Sequence, residues 1–508
     1  MAKVVSAEEA VSQIPDGSTV LVNPMPIEEV LPAFRQVYAA KGSPKDLTVV
    51  FTAGMGPFGT DYKGMNNFAV PGMLKRMVGA HIGVNHLLIK LAVMEEIECY
   101  ILPQGVLAQL YREIAGNRPG VITTVGLETF VDPRIDGGKM NQRTRQQEDY
   151  VSLIELAGKE YLFYKTFPVH AAIFKGTTAD PSGNITCEDE PAFLECLEVA
   201  MAAKNHGGIV IAQVEKLSDK PANPHMVRVP GIFVDYVVVA QSRQAHPHTL
   251  FVDHDPAFTG QKTVSLSDVI KPMPLNVEKV ICRRAARELT PGMNVNLGVG
   301  IPQGVAAVAF EEGLFEQITM NTELGVIGGV PDGGKNFGPA RNPAAFISQP
   351  QMFDFYDGGG LHATCVGLAQ ADAEGNVNVS RLGQKIIGCG GFINLTQGSH
   401  HCIFCGEFSA GGTDIVVSDG KLTIRQDGKV MKFVEAVEQI TFSGKRARRV
   451  GQDAKFITER CVFRLVPEGM LLAEVAPGVD IQKDIIDRMG FRPIVPDQVP
   501  LMDPAMFA

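Results

Sequence analysis

Three features that are missing from the sequence narrow what the protein does. Tryptophan is absent, so no tryptophan side chain anchors a core or a ligand. No dense Lys or Arg run occurs and the formal net charge is −10, which disfavours nucleic acid as a partner. Apolar runs such as GGIVIAQV have only the length of a strand, and the beginning, MAKVVSAEEA, lacks the apolar segment of a secretion signal. We therefore expect a soluble, cytoplasmic protein without a membrane partner.

Cysteine gives no sign of a disulfide framework. The nine cysteines are an odd number scattered along the chain, which is typical of a reducing compartment. One cluster, HHCIFC from His400 to Cys405, offers two imidazoles and two thiols, which makes zinc conceivable. Four ligands within six residues can hardly all converge on one ion, and no second ligand pair follows at finger spacing. We therefore expect buried structural cysteines and no metal.

The length of 508 residues predicts two domains, because one hydrophobic core rarely serves so long a chain. Short β-branched runs bounded by Gly or Pro, such as 47–54, 208–214, 293–298 and 318–325, predict strands. Between them, segments such as 277–289 and 305–314 have the apolar spacing of helices. This alternation predicts an α/β fold with mainly parallel sheets, open and flanked by helices.

The two halves of the chain resemble each other weakly. Residues 17–34 align with 292–310, residues 47–54 with 318–325, and residues 176–186 with 367–379. The order is the same in both halves, which indicates two related domains. A polar segment rich in His and Pro separates them, and we place the boundary near Pro272. The predicted domains are therefore 1–272 and 273–508, although one domain with a long loop is the alternative.

A glycine-rich loop, LGVGIPQG at 297–304, follows a predicted strand and opens a predicted helix. Gly298 and Gly300 would let the backbone pass close to a ligand, and a helix N-terminus favours an anion. The alternative is a tight turn without a ligand. No acidic residue follows at the position that binds a ribose, so a nicotinamide cofactor is not indicated.

Glu323 lies in the segment NTELGVIGG, near the carboxyl end of a predicted buried strand. Ligand sites of open α/β sheets lie at such strand ends, and the glycines that follow leave room for a bulky ligand. A lone Glu before a Gly is otherwise a turn or rim residue. The aligned position of the first half is Thr52, which has no carboxylate, so only one half carries this chemistry.

Three further positions are candidates on weaker grounds. Gly390 and Gly391, in IIGCGGF, could turn N–H groups towards an oxyanion, although turns of this composition are common. Gln104 follows Pro103 at the end of an apolar run and either caps a turn or contacts substrate. Lone histidines such as His362 are interpreted as structural or surface residues.

These motifs together resemble family I coenzyme A transferases over essentially the whole chain. The second half resembles the β-type half of the family, and the first half resembles the α-type half, in LPQGVLAQL, VGLETFVDPRIDGGKMN and DPSGNIT. The motifs of the second half are LGVGIP, TELGVIGG, FDFYDGGGL, LAQADAEGNVNVS, GCGGF, CGEFSAGG and EVAPGVDIQKDIIDRMGFRP. The likeness is greatest to transferases for acetate, propionate and other short-chain acids.

The resemblance implies an enzyme that moves CoA between carboxylic acids by a ping-pong route. Glu323 would attack the acyl-CoA, pass through a mixed anhydride and hold CoA as a glutamyl thioester. The backbone of Gly390 and Gly391 would form part of the oxyanion hole, and Gln104 would orient the acyl group. Gly298 and Gly300 would approach CoA or the reacting thioester. CoA is then a substrate, no metal or nucleotide cofactor is needed, and a homodimer or homotetramer is implied.

The loop 22–30 departs from the family pattern. It reads VNPMPIEEV, with two prolines and no glycine, where the family usually has a glycine-rich loop that shapes the acyl pocket. The donor and acceptor acids are therefore left open. Two alternatives to a transferase also stay open: a thioesterase, if water reaches the intermediate, and a non-catalytic acyl-CoA sensor.

Overall fold

The first large sheet is built from the first half of the chain. The computed structural model describes residues 2–508. The strands of the first half are β1 (Lys3–Val4), β2 (Thr19–Val22), β3 (Leu47–Phe51), β4 (Leu74–Gly79), β5 (Glu98–Ile101), β6 (Gly120–Thr123), β7 (Val151–Leu156), β8 (Lys159–Lys165), β9 (Ala171–Ala179), β10 (Ile185–Thr186), β11 (Ile209–Leu217), β12 (Val227–Val229) and β13 (Tyr236–Val239). The main sheet has the order β1-β13-β11-β9-β2-β3-β4-β5, and every pair along this path is parallel.

The second large sheet is built from the second half. The strands there are β14 (Asn294–Leu297), β15 (Thr319–Thr322), β16 (Val326–Ile327), β17 (Val330–Pro331), β18 (Ala340–Arg341), β19 (Ala345–Phe346), β20 (Ala363–Gly367), β21 (Gln370–Ala371), β22 (Val377–Asn378), β23 (Arg381–Leu382), β24 (Lys385–Ile386), β25 (His401–Cys405), β26 (Ser409–Ala410), β27 (Asp414–Ser418), β28 (Lys421–Gln426), β29 (Val430–Met431), β30 (Asp453–Ile457), β31 (Cys461–Val466) and β32 (Gly469–Val475). The large sheet runs β19-β16-β15-β14-β20-β25-β30-β31-β32. Its centre, from β15 to β30, is parallel, and both edges are antiparallel.

The centres of the two sheets share one strand order. The sequence β3-β2-β9-β11-β13 of the first sheet corresponds to β15-β14-β20-β25-β30 of the second. The prediction of two related, mainly parallel α/β sheets is therefore confirmed. The alignment of 47–54 with 318–325 places β3 opposite β15 in this comparison. The domain boundary near Pro272 stays a prediction.

Helices cover the sheets and connect the parallel strands. The helices are α1 (Ala7–Val11), α2 (Val30–Lys41), α3 (His86–Val93), α4 (Gln104–Ala115), α5 (Gln142–Arg145), α6 (Cys196–Asn205), α7 (Leu266–Val269), α8 (Val277–Ala286), α9 (Gly304–Glu311), α10 (Gln349–Phe355), α11 (Phe392–Gly398) and α12 (Gly444–Val450). The helices predicted over 277–289 and 305–314 correspond to α8 and α9. They pack against each other because their apolar side chains repeat at helical spacing.

The two halves share part of their core. Leu324, Val326 and Ile393 of the second half pack into the hydrophobic cluster that the first half builds. Polar contacts cross the same boundary, because the Asn394 Oδ1 atom accepts the Gly105 N–H at 3.1 Å. The turn after β15 and the N-terminal part of α11 are therefore held against the first half, which positions the candidate site.

Candidate active site between the two halves

Glu323 stands at the tip of a tight β-hairpin. Strand β15 ends at Thr322 and β16 starts at Val326, and these two residues are paired. Gly325 closes the turn with φ +92°, a backbone conformation that residues other than glycine rarely adopt. A Cβ at this position would lie 2.1 Å from the Ile347 carbonyl oxygen. The glycine after the glutamate is therefore needed to fold the hairpin back against the following segment.

The carboxylate of Glu323 is almost fully buried, with 7% of the residue exposed. Burial raises its pKa, while its own backbone N–H and Asn296 oppose this rise. The Asn296 Nδ2 group donates to Glu323 Oε2 at 3.4 Å, and Asn296 lies on the neighbouring strand β14. Because water solvates a buried carboxylate poorly, its ionised form is more nucleophilic than an exposed one.

Tyr356 and Asn321 complete the surroundings of the carboxylate. The Tyr356 hydroxyl donates to Asn321 Oδ1 at 2.6 Å. Burial and the nearby Glu323 raise the pKa of Tyr356 well above its usual range, so this phenol stays neutral. Within residues 2–508, Asn296 Oδ1 and Thr322 Oγ1 are buried without a hydrogen-bond partner. The site therefore offers neutral polar atoms beside one carboxylate.

The glycine-rich loop follows β14, directly after Asn296. The Gly298 N–H donates to the Cys365 carbonyl at 2.7 Å, and a Cβ there would lie 3.3 Å from the Val366 Cα atom. Gly300 has φ +86°, and a Cβ on it would meet no atom within 4 Å. Gly298 thus packs against the neighbouring strand, whereas Gly300 is open and leaves space beside the start of α9.

Gln104 meets Gly390 and Gly391 across the boundary between the halves. The Gln104 N–H, at the start of α4, donates to the Gly390 carbonyl at 3.0 Å. A Cβ on Gly391 would lie 3.6 Å from Gln104 Oε1 and 3.5 Å from the ring of Phe353. The structure therefore brings Gln104 together with two other candidates that lie almost 290 residues later in the sequence.

The proposed role of Gly390 in an oxyanion hole needs a correction. Its N–H donates to the Ala80 carbonyl at 2.8 Å, so this donor is already used to join the two halves. The Gly391 N–H donates to no group in the part of the chain that the structure describes. Only Gly391 therefore keeps a free backbone donor for an oxyanion, with Gln104 beside it.

The remaining candidates lie outside this group. His362 Nδ1 accepts the Asn294 N–H at 3.0 Å, which gives it a structural contact at the start of β14. Cys402 and Cys405 are buried in strand β25, where neighbouring side chains point to opposite faces of the sheet. The groups of His400–Cys405 therefore do not converge on one point.

A different trio has the spacing of metal ligands. Within residues 2–508, Asp189, His248 and His254 offer three ligand atoms within 4.8 Å of one another. However, Arg243 Nη2 lies 2.8 Å from His248 Nε2 and 3.4 Å from Asp189 Oδ2. The Arg243 guanidinium therefore occupies the position of a metal ion and supplies the positive charge that the ion would bring. We therefore interpret the trio as part of an ion-pair network.

Two cavities lie between the halves, away from Glu323. One of about 380 Å³ is bordered by Glu128, Arg134 and Lys445, and one of about 450 Å³ by Arg145, Arg381 and Glu438. Glu323 lines neither cavity. In a search of residues 2–508, we found no helix whose length and apolar content would let it cross a membrane.

Sequence reasoning missed Asn296, Asn321 and Tyr356. Both asparagines are buried within short strands, in NVNL and TMNT, and a buried amide in a strand is a signal for a polar site. Tyr356 lies in a glycine-rich motif whose composition predicts turns and gives no sign of a buried phenol. The contacts of these residues with one another depend on strand order, which local patterns do not specify.

A sequence profile and two full-length relatives identify one family. The sequence profile of the family described as "Coenzyme A transferase" matches residues 4–240. A caffeate CoA-transferase from Acetobacterium woodii is 47% identical, with 100% of this chain and 98% of the relative aligned. The acetate CoA-transferase YdiF from Escherichia coli (strain K12) is 40% identical over 99% of this chain and 95% of its own length.

Solved structures agree with the sequence relatives. The crystal structure of the acyl-CoA transferase YdiF apoenzyme from Escherichia coli O157:H7 superposes with a TM-score of 0.93 at 38% identity, covering 100% of this chain and 96% of that one. The thioester complex of YdiF with CoA superposes with a TM-score of 0.92 at the same identity and coverage. Full-length relatives of such identity show that the chain belongs to the coenzyme A transferase family and is a CoA-transferase enzyme that handles CoA as a substrate.

Proposed function

We propose that the enzyme moves CoA from a short-chain acyl-CoA to a carboxylic acid by a ping-pong mechanism on Glu323. The observation that carries this proposal is a buried carboxylate at a hairpin tip, hydrogen-bonded by Asn296 and next to an open glycine loop. A solved relative, YdiF, forms a thioester complex with CoA, which supports a covalent route.

In the first half-reaction, a Glu323 oxygen attacks the carbonyl carbon of the acyl-CoA thioester. The tetrahedral oxyanion collapses, the C–S bond breaks, and CoA leaves this intermediate as a thiolate. The product that remains is a mixed anhydride of the acid and Glu323. The thiolate then attacks the glutamyl carbonyl carbon and releases the first acid as a carboxylate. CoA remains bound to Glu323 as a thioester.

The second half-reaction reverses these steps with another acid. Its carboxylate attacks the glutamyl thioester, CoA leaves as a thiolate, and a new anhydride forms. The thiolate attacks the acyl carbonyl, which gives the new acyl-CoA and restores the Glu323 carboxylate. Each thioester that breaks is replaced by another, so the free energy of the bond is retained and ATP is not required.

The residues around Glu323 have separate tasks in this proposal. Asn296 orients the carboxylate through its amide donor. The Gly391 N–H and the Gln104 side chain face the oxyanion, and one such donor is worth about 3–4 kcal/mol in comparable sites. Gly300 leaves room for CoA beside the start of α9. Burial of Glu323 also keeps water away from the anhydride, which favours transfer over hydrolysis.

Trapping the thioester tests the mechanism. The protein is incubated with acetyl-CoA without an acceptor acid, treated with borohydride and digested for peptide mass spectrometry. A glutamyl thioester is reduced to an alcohol, whereas a free carboxylate is not, so we expect reduction at Glu323 only when acyl-CoA is present. Glu195, another buried glutamate, is the internal control and should stay unreduced.

The outcome also separates the alternatives. A thioesterase would consume acyl-CoA without any acceptor, whereas a transferase forms new acyl-CoA only when a second acid is present. A sensor would bind acyl-CoA without reduction at Glu323. The assembly state, a dimer or a tetramer, is a further proposal that the mass of the native particle tests.

A further inference from the structure

Several buried polar atoms near the carboxyl ends of β2 and β3 have no partner. Within residues 2–508, both amide atoms of Asn23, both amide atoms of Gln349, the Tyr111 hydroxyl and the Glu195 Oε2 atom make no hydrogen bond. None of these four residues has measurable exposure. Because buried polar groups normally find partners, such a concentration indicates groups whose partners lie outside the protein chain.

The four residues belong to one cluster. Asn23 and Thr52 directly follow β2 and β3, and the parallel register of Leu21 with Val50 brings them side by side on one face of the sheet. The Thr52 hydroxyl donates to Glu195 Oε1 at 3.0 Å, which leaves Oε2 free. The Gln349 N–H donates to the Leu194 carbonyl at 3.0 Å and so brings α10 to the same place.

Tyr111 connects this cluster with the candidate active site. Gln104 and Tyr111 are seven residues apart on α4 and therefore lie on the same face, about 10 Å apart along the helix axis. The ring of Phe353, on α10, packs against Gly105 and Gly391. Gln349 lies one turn before Phe353 on the same face of α10. Helices α4 and α10 are in contact with each other. Gln104 and Phe353 lie at the end of this contact next to Gly391, and the polar cluster lies at its other end.

The hairpin of Glu323 reaches the cluster from the other side. The Ile347 N–H donates to the Gly325 carbonyl at 2.9 Å, two residues after the nucleophile. Two residues further along the chain, Gln349 contacts Leu194. A single short segment therefore joins the turn of the nucleophile to the unpartnered side chains.

The cluster is electrically neutral near pH 7. Burial raises the pKa of Glu195 to about 8, so its carboxyl group is mostly protonated and can donate as well as accept. Burial and Glu195 raise the pKa of Tyr111 well above its usual range, which keeps the phenol neutral. The four side chains of the cluster carry no charge themselves, and a hydroxyl or carbonyl would find both donors and acceptors among them.

We infer that Asn23, Tyr111, Glu195 and Gln349 form a specificity subsite that binds an uncharged hydroxyl or carbonyl group at the far end of the acyl chain, on the order of 10 Å from Gln104. This inference rests on the proposed function, because the acyl group must start at Glu323 and Gln104. Acids that carry such a hydroxyl or carbonyl group are then preferred over acids of the same shape without it.

Two acids of nearly equal shape test the subsite: 3-(4-hydroxyphenyl)propenoate and 3-phenylpropenoate. We compare their dissociation constants by calorimetry and their kcat/KM as acceptors from acetyl-CoA. In the unchanged protein we expect a preference of about tenfold or more for the hydroxylated acid, the worth of about one hydrogen bond. Tyr111→Phe, which removes only an unpartnered hydroxyl, should lower this preference several-fold, and so should Asn23→Leu.

Tyr164→Phe is the matched control. Its hydroxyl is equally buried but donates to the Val125 carbonyl at 2.8 Å, away from the cluster. This variant should lose some thermal stability and keep the preference between the two acids. Tyr111→Phe should retain its melting temperature, because no hydrogen bond is lost.

Thioester trapping and the preference between the two acids together distinguish failure of the subsite from failure of the proposed function. If transfer and thioester trapping succeed but the preference is absent or unchanged in Tyr111→Phe and Asn23→Leu, the subsite is wrong and the mechanism stands. If trapping fails with every acyl-CoA, the mechanism is wrong, and the calorimetric preference still decides whether the cluster binds a hydroxyl group.

Discussion

The turns after β3 and β15 occupy equivalent places in the two sheets but differ in chemistry. After β15 the chain folds back into an antiparallel hairpin, and its tip carries Glu323. After β3 the chain proceeds to the parallel strand β4, and the equivalent residue is Thr52. In the first half a carboxyl group still reaches this place, because Thr52 binds Glu195 from the start of α6. One backbone position thus holds the proposed nucleophile in one half and supports a neutral carboxyl group in the other.

Replacing the two equivalent residues should have very unequal effects. Glu323→Gln should lower kcat by at least about 10³-fold, because an amide cannot form the anhydride. Its melting temperature should stay the same or rise, since a buried carboxylate without a cation is removed. Thr52→Val, which deletes only the hydroxyl that binds Glu195, should retain thioester trapping at Glu323. Full transfer activity of Glu323→Gln in a steady-state assay would contradict the mechanism.

The hairpin itself depends on Gly325. Gly325→Ala introduces a Cβ 2.1 Å from the Ile347 carbonyl at φ +92°, so we expect a loss of about 2–4 kcal/mol in the free energy of unfolding and a large loss of kcat. Gly300→Ala is the control, because its φ is +86° but no atom lies within 4 Å of the new Cβ. It should cost only about 1 kcal/mol. Equal losses in denaturant unfolding would show that backbone strain alone, and not the close contact, matters at Gly325.

Across the boundary, Gln104→Ala should lower kcat by about 10²–10³-fold if its side chain faces the oxyanion. Gln109→Ala on the same helix is the control, because Gln109 binds Asp354 and Asp357 at 3.1 and 3.0 Å and is a structural contact. That variant should lose stability with little change in kcat. Equal kcat values for the two variants in a saturating acetyl-CoA assay would remove Gln104 from the reaction.

The last prediction concerns the pH dependence of stability. Burial raises the pKa of Glu195 from 4.5 to about 8, with Thr52 opposing and Glu198 adding to the rise. The folded state therefore holds a proton that the unfolded state loses above pH 4.5. The protonated Glu195 carboxyl group therefore contributes to the free energy of unfolding. This contribution is fully present below pH 4.5, falls as the pH rises and is lost above about pH 8. Glu195→Gln, a neutral isostere, should flatten this part of the profile in urea unfolding.

Much of the fold was predictable because it depends on patterns of residues that are close along the chain. Alternating β-branched runs and helical spacing gave β3, β11, β14, β15, α8 and α9 close to their observed bounds. The internal likeness gave the correspondence of β3 with β15. The position of Glu323 at a strand end also followed from the sequence, since a short run that ends in Glu, Leu and Gly must turn there.

The surroundings of Glu323 were not predictable in the same way. The motif around Gly390 predicts an N–H donor for an oxyanion, but this N–H donates to the Ala80 carbonyl, a contact between residues more than 300 positions apart. Asn296 and Tyr356 reach the site through the order of β15 and β14 and through the packing of α10. Local composition contains no information about which strand becomes a neighbour, so these residues became visible only in three dimensions.

The sequence by itself determined the α/β class, the twofold internal likeness and the glutamate at a strand end, because each depends on residues that are close along the chain. The tertiary structure decided which N–H groups are free, which asparagine orients the carboxylate and which polar side chains lie unpartnered beside α4. The physical reason is burial among distant residues: the pKa of Glu195 depends on its burial and on Thr52, and the Gly390 N–H is occupied by the Ala80 carbonyl, so both are set by residues far away along the chain.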